Sequence, residues 1–169
     1  LSRRQRQMCI ETGKNSFFVA ETEDGEIAGF CNGCCADTDY LADALYHDAT
    51  LHNPDGDYQM IFGLDVNPKF QKQGIGEALM RHMVKSAGER DKKAVVLTCK
   101  DHMIPFYKRI GYEYIELSDS THGGAKWHKM MYRFKKKWKA KRAEQGDTKF
   151  LCSALFFKKT GLLTKAFSQ

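Results

Sequence analysis

No apolar run in this 169-residue chain approaches the length needed to span a bilayer, and the opening Leu1-Ser2-Arg3-Arg4-Gln5-Arg6 lacks the hydrophobic region of a signal peptide. A soluble, cytoplasmic protein is the expectation. Six cysteines are present without a tight repeated framework, so most are expected as free thiols. Basic charge is also missing from most of the chain. The net +6 comes from residues 133–169, where eleven Lys and Arg face only Glu144 and Asp147, a local +9 that leaves −3 for residues 1–132. Residues 34–59 hold six aspartates and no Lys or Arg, which opposes contact with phosphate. Nucleic acid is therefore not an expected partner, and the basic tail reads first as a solvated helix face. With 42% hydrophobic residues, the chain is one domain's worth with enough apolar side chains for a sizeable core.

The stretch Val66-Asn67-Pro68-Lys69-Phe70-Gln71-Lys72-Gln73-Gly74-Ile75-Gly76 carries the most chemistry. An apolar strand enters a Gln-x-x-Gly-x-Gly turn, which opens an amphipathic helix. Glycines 74 and 76 permit close backbone approach, and the unpaired N–H groups of a helix's first turn converge on an anion with the dipole behind them. The spacing is not the dinucleotide Gly-x-Gly-x-x-Gly, and no Gly-Lys-Ser/Thr follows as in a nucleotide P-loop. Main-chain groups of Gln71, Lys72, Gln73, Gly74, Ile75 and Gly76 are thus candidates for holding a pyrophosphate. An ordinary glycine corner between strand and helix is the alternative. Downstream, Val95 to Cys99 reads as a buried strand, and Ile104-Pro105-Phe106-Tyr107-Lys108-Arg109-Ile110 as a short helix ended by Gly111.

Around these blocks, Phe17–Glu21 and Glu26–Cys31 read as a hairpin turned by Asp24-Gly25. Met60–Val66 is a strand, 74–90 the helix, and 112–117 and 125–134 the last two strands. In the helix, Ile75, Ala78, Leu79, His82, Met83 and Ala87 form one stripe, which makes His82 a core or boundary residue rather than a catalyst. Cys31, Cys34, His47 and His52 match a zinc-finger spacing, but the surroundings do not suit one, and no metal is expected. The acidic insertion reads as a solvated surface, with a carboxylate site for a cationic acceptor as the second reading. Cys99 has no activating histidine nearby in sequence, so direct transfer is preferred to a thiol-borne intermediate. After Gly146, Phe150, Leu151, Ala154, Leu155, Phe157, Leu162, Leu163, Ala166 and Phe167 recur at helical spacing, so residues 135–169 are expected as a basic amphipathic helical extension. That stripe is expected to pack on its own domain, with a contact to another copy in a homodimer as the second reading and a membrane-surface helix as the third.

The conjunction of the Gln-x-x-Gly-x-Gly turn with the Phe106-Tyr107-x-x-x-Gly111-Tyr112 block resembles the GNAT N-acetyltransferase superfamily over about residues 16–134. The resemblance implies an α/β fold, a mixed and mostly antiparallel sheet flanked by helices. Residues 1–134 form the acetyltransferase domain on this reading, its first strand and helix short or missing, since only about fifteen residues precede the hairpin. It implies acetyl-CoA as cosubstrate, held by the turn and by Leu64, Asp65 and Val66, with Phe106 and Tyr107 beside the sulfur. Tyr107 would be the general acid, a main-chain N–H of 64–66 would hold the developing oxyanion, and Asp65, His122 or a water chain would be the base. Leu97-Thr98-Cys99-Lys100-Asp101, Pro105-Phe106-Tyr107, Arg109 and Gly111 resemble arylalkylamine N-acetyltransferase more locally, but Phe62 and Asn67 stand where that family's familiar animal members carry two histidines. A primary amine is the implied acceptor: a small amine, a polyamine or a protein lysine. A non-catalytic acyl-CoA-binding or interaction module of the same fold is the alternative.

Overall fold

The computed structural model describes residues 15–46, 48–120, 122–135, 156–157 and 162–166. The expected hairpin is strands β1 (Phe17–Thr22) and β2 (Ile27–Ala36), paired antiparallel around Asp24-Gly25. Strand β3 (Tyr58–Val66) leads to helix α1 (Ile75–Glu89), then β4 (Ala94–Cys99) and the short helix α2 (Ile104–Ile110). Strands β5 (Glu113–Leu117) and β6 (His128–Arg133) follow. The sheet runs β5-β6-β4-β3-β2-β1 across these six strands, and all pairs are antiparallel except β3 with β4.

The helical extension expected from the spacing after Gly146 is corrected where the chain is described: Phe156–Phe157 and Leu162–Ala166 are strands, β7 and β8. Strand β8 lies antiparallel on β1 from Phe18↔Ala166 to Thr22↔Leu162. The physical reason is the outer edge of β1, whose free N–H and C=O groups accept another strand, so tertiary pairing overrides a periodicity of a few apolar residues. The remainder of the extension, like residues 1–14, His47 and Thr121, lies outside the described residues.

Helix α1 covers one sheet face with Ile75, Leu79, Met80, Met83 and Ala87, which pack with Phe18, Ala28, Cys31, Ile61, Val95 and Leu97. Helix α2 joins the same face through Tyr107 and Ile110. Fully burying a side chain such as Met83 stabilises by about 1.5–3 kcal/mol, and this stripe fixes α1 along the sheet. The opposite face is roofed by the 41–46 segment: Leu41 and Leu45 pack with Cys34, Met60, Val96 and Met131, and Tyr46 and Phe62 flank them.

Two irregularities in β3 shape the middle of the sheet. Asn32 pairs with Gly63 while Gly33 pairs with Ile61, so Phe62 bulges out of register. The extra residue shifts the alternation: Ile61 belongs to the α1 face, Phe62 to the other, and Leu64 and Val66 return to the α1 face. Strand β4 pairs with β3 only from Tyr58↔Ala94 to Met60↔Val96. Beyond Met60 the two strands part, and their facing edges, 61–66 and 97–99, are left open as the arms of a splay.

Candidate active site

The turn that follows β3 is built to leave donors free. Asn67 caps the single turn Pro68–Phe70 by accepting from the Lys69 N–H at 3.1 Å, and the Gln71 side chain donates to Val66 O at 3.1 Å. The Gln71 side chain thus ties down the corner, which leaves its main chain and those after it to face outward. Lys72 takes φ 63° and Gly74 φ 82°, successive excursions into the left-handed region. For a lysine this conformation is strained, and such strain gathers at ligand sites. The first bond of α1 runs from Ala78 N to Gly74 O, and no main-chain N–H from 72 to 77 donates to a main-chain carbonyl among the described residues. Gly74 lacks a side-chain cap, and a Cβ placed there meets nothing within 4 Å. These N–H groups, lying in an exposed turn at the positive end of a 15-residue helix, form an anion cradle.

The cradle opens onto the splay. A Cβ at Gly76 would stand 3.6 Å from Val66, 3.7 Å from Leu64 and 3.8 Å from Phe106, so the first turn of α1, the end of β3 and the start of α2 meet in one apolar throat. Phe106 stacks edge-on with Tyr107 at 5.0 Å, and Tyr107 with Tyr112 at 5.7 Å. Tyr107 is 7% exposed and packs in the cluster that holds Cys31 of β2 and Cys99 of β4. Burial, then the neighbouring Cys99 and Cys31, raise its pKa well above the ordinary value, so it is fully protonated at neutral pH. The same burial pushes Cys31 up to about 12 and Cys99 up to about 11, the latter helped by Asp101. Cys99 is thus held as the protonated thiol at neutral pH.

The remaining expected residues fall apart from this centre. Leu64 and Val66 face the throat, but Asp65 lies exposed between them and pairs with Phe30. Its side chain is on the face opposite Tyr107. His122 belongs to the turn His122–Gly124 between β5 and β6, and its side chain is outside the described part. His82 is the boundary residue expected, edge-on to Phe18 at 4.5 Å with its pKa lowered by burial. Cys31 packs against Met80 of α1 while Cys34 packs with Met60 and Val96 on the other face, so the two thiols diverge. His52 accepts the Cys35 N–H at 2.9 Å.

Sequence reasoning missed the far side of the splay. Tyr46 lies with its ring 4.7 Å from Phe62 of β3, and its hydroxyl interacts with the Thr98 side chain of β4, on the other arm. Beside Thr98 is a cavity of about 170 Å³ lined by Tyr40, Leu41, Glu116, Asp119 and Lys129. Lys129 is buried there against Glu116 at 3.3 Å and Asp39 at 3.5 Å. Asn32 is buried on this face as well, opposite the bulge. A single polar residue within the apolar run Ile27–Ala36 was the available signal for it.

A strand–turn–helix anion cradle beside two parting parallel strands defines the acyl-CoA-binding class of α/β fold. The acetyltransferase (GNAT) domain matches residues 13–114, and the chain belongs to that family, whose cosubstrate is acetyl-CoA. It is similar to serotonin N-acetyltransferase of Mesocricetus auratus, 29% identical over 54% of this chain and 43% of that protein. The enzyme of the same name from Macaca mulatta is 30% identical over 53% and 43%. The chain thus spans under half the length of these curated relatives. Among solved structures, the GphF GNAT-like decarboxylase in complex with isobutyryl-CoA superposes with a TM-score of 0.65 at 17% identity, covering 79% of this chain and 85% of that one. A GNAT family acetyltransferase from Elizabethkingia anophelis with acetyl-CoA bound gives 0.56 at 15% identity, covering 79% and 84%.

Proposed function

We propose that the protein transfers the acetyl group of acetyl-CoA to a primary amine by direct attack. The observation that carries this reading is the continuity of the free N–H groups of 72–77, the throat at Gly76, and the splay that contains Tyr107. The cradle would hold the pyrophosphate, and the thioester would lie between the arms of β3 and β4. A free main-chain N–H of β3 within 64–66 would donate to the carbonyl oxygen as negative charge develops there. The neutral amine attacks the carbonyl carbon, the C–S bond breaks, and the departing thiolate takes the Tyr107 proton. The proton released by the amine leaves through water, and Tyr107 recovers its own from solvent. Asp65, exposed on the far face, is a weaker base candidate than solvent.

The relatives' name favours a small amine over a protein lysine as acceptor. A second reading, acyl-CoA binding with other chemistry or none, is favoured by the GNAT-like decarboxylase that shares this fold, because fold alone does not fix the reaction. The discriminating experiment is turnover of acetyl-CoA with a panel of 2-phenylethylamine, tryptamine, spermidine and a lysine peptide. N-acetylated product supports transfer; binding of acetyl-CoA without turnover of any of the four supports the second reading.

A further inference from the structure

We infer that the cavity beside Thr98 is an acceptor subsite that takes a second, cationic nitrogen, so that the protein acetylates diamines and polyamines in preference to monoamines of the same length. The inference rests on the amine-transfer reading above and names the class of amine. The cavity, about 170 Å³, borders the open arm of the splay: Thr98 is one of its walls and stands two residues beyond the last β3–β4 pair, Met60↔Val96. From that arm a row runs outward across three neighbouring strands, Thr98 of β4 opposite Lys129 of β6 and Lys129 opposite Glu116 of β5. Neighbouring strands lie roughly 4.7–4.9 Å apart, so the main chain at Glu116 stands about 10 Å from that at Thr98. An amine held at the thioester therefore presents the far end of a chain of several methylenes to the wall made by Glu116 and Asp119.

The chemistry of that wall selects an ammonium group. Among the described residues that line the cavity, Lys129 is the only cation, and it is buried and committed to Glu116 at 3.3 Å and to Asp39 at 3.5 Å. Taken with Asp39, the lining holds three carboxylates against that one ammonium, a local −2. A carboxylate on the ligand would be repelled. Asp119 is exposed, and its side chain has no hydrogen bond or ion pair among the described residues, so it is free to meet a cation. Tyr40 and Leu117 stand exposed at the same cavity. The Tyr40 ring offers a face to the ammonium, and Leu117 covers the methylenes that lead to it. A neutral aromatic arm would use the two apolar side chains but leave Asp119 without a partner. The distal nitrogen of a diamine uses all three, staying charged in the cavity while the neutral nitrogen at the other end attacks the thioester.

Heptane-1,7-diamine and heptylamine differ only in the distal nitrogen, and the ratio of their kcat/KM values reads the subsite. The diamine's two reactive ends contribute equally in every variant and cancel when ratios are compared. The wild type is expected to favour the diamine roughly tenfold or more, and Asp119→Lys to cut that ratio at least tenfold, with acetyl-CoA Kd and melting temperature unchanged because the residue is exposed. Tyr40→Leu should cut the ratio about two- to fivefold, and Asp119→Glu, which keeps the charge, should hold it within about threefold of the wild type. A wild-type ratio of about two or less, the statistical value, overturns the subsite. So does a ratio that Asp119→Lys leaves unmoved while both amines are acetylated. No acetylated product from either amine or from the four-member panel refutes the transfer reading itself, and the subsite with it.

Discussion

Replacing Gly74 by alanine should harm both the fold and acetyl-CoA binding, while the same change two residues on should leave the fold intact. Gly74 stands at φ 82° just before α1, and a Cβ there meets no atom within 4 Å, so the effect is conformational rather than a clash. An L-residue held in the left-handed region is disfavoured by roughly 1–2 kcal/mol. For a domain of this size that corresponds to a fall in melting temperature of about 2–8 °C. If the turn relaxes instead, the N–H groups of Ile75 and Gly76 swing off the anion. Two charge-assisted hydrogen bonds are then weakened, each worth roughly 1.5–3 kcal/mol, and acetyl-CoA affinity should drop at least tenfold. Gly76→Ala is the internal control: its Cβ meets Val66, Leu64 and Phe106 at 3.6–3.8 Å, ordinary contact, within the first turn of a helix. Alanine there gains up to about 1 kcal/mol of helix propensity, so the fold should not weaken. Thermal unfolding with and without acetyl-CoA, and calorimetric titration, read both quantities. A Gly74→Ala protein with wild-type melting temperature and affinity would refute the cradle reasoning.

Other expectations follow from single contacts. Tyr107→Phe keeps the ring stacking on Phe106 and Tyr112 but deletes the proton donor, so single-turnover acetylation should slow by about 10²–10⁴ with little change in acetyl-CoA affinity; an unchanged rate removes Tyr107 from the chemistry. Buried Lys92 donates to Pro54 O and Gly56 O at 2.6 Å each, and Lys92→Met strands both carbonyls, so urea unfolding should show a loss of about 2–5 kcal/mol. Burial lowers the pKa of His52 and of His82, so the unfolded chain binds more protons than the native one as pH falls. Their contribution is fully present above the unfolded value near 6.5 and is lost below it, and the urea midpoint should fall between pH 7.5 and 5.5, less steeply in a His52→Asn, His82→Gln double variant.

The parts of the fold that were legible in the sequence are those set by neighbours along the chain. Asp24-Gly25 marked the β1–β2 turn, the Gln71–Gly76 spacing marked the entry to α1, and Val95–Cys99 followed by Pro105 and Gly111 marked β4 and α2, because turn chemistry and caps act over a few residues. What depends on distant partners was hidden. The apolar spacing of Leu162, Leu163 and Ala166 suits a helix, yet the open edge of β1 takes them as a strand. The bulge at Phe62 arises from pairing with Asn32 and Gly33, thirty residues earlier, and it decides which face Leu64 and Val66 serve. Tyr46 and Thr98 come together only through the roofing of the sheet by the acidic insertion. The aspartates of that insertion, read as a solvated surface, include Asp39 beside buried Lys129 and Asp43, whose carboxylate accepts from the Ser120 hydroxyl at 2.8 Å.

The most direct test of the account is a mass-spectrometric assay of the protein with acetyl-CoA and each of the four amines, run beside Tyr107→Phe. The account predicts N-acetylated amine and free coenzyme A in equal amounts from the wild type, and at least a hundredfold slower formation from the variant. Tight acetyl-CoA binding with no acetylated amine from the wild type would contradict it.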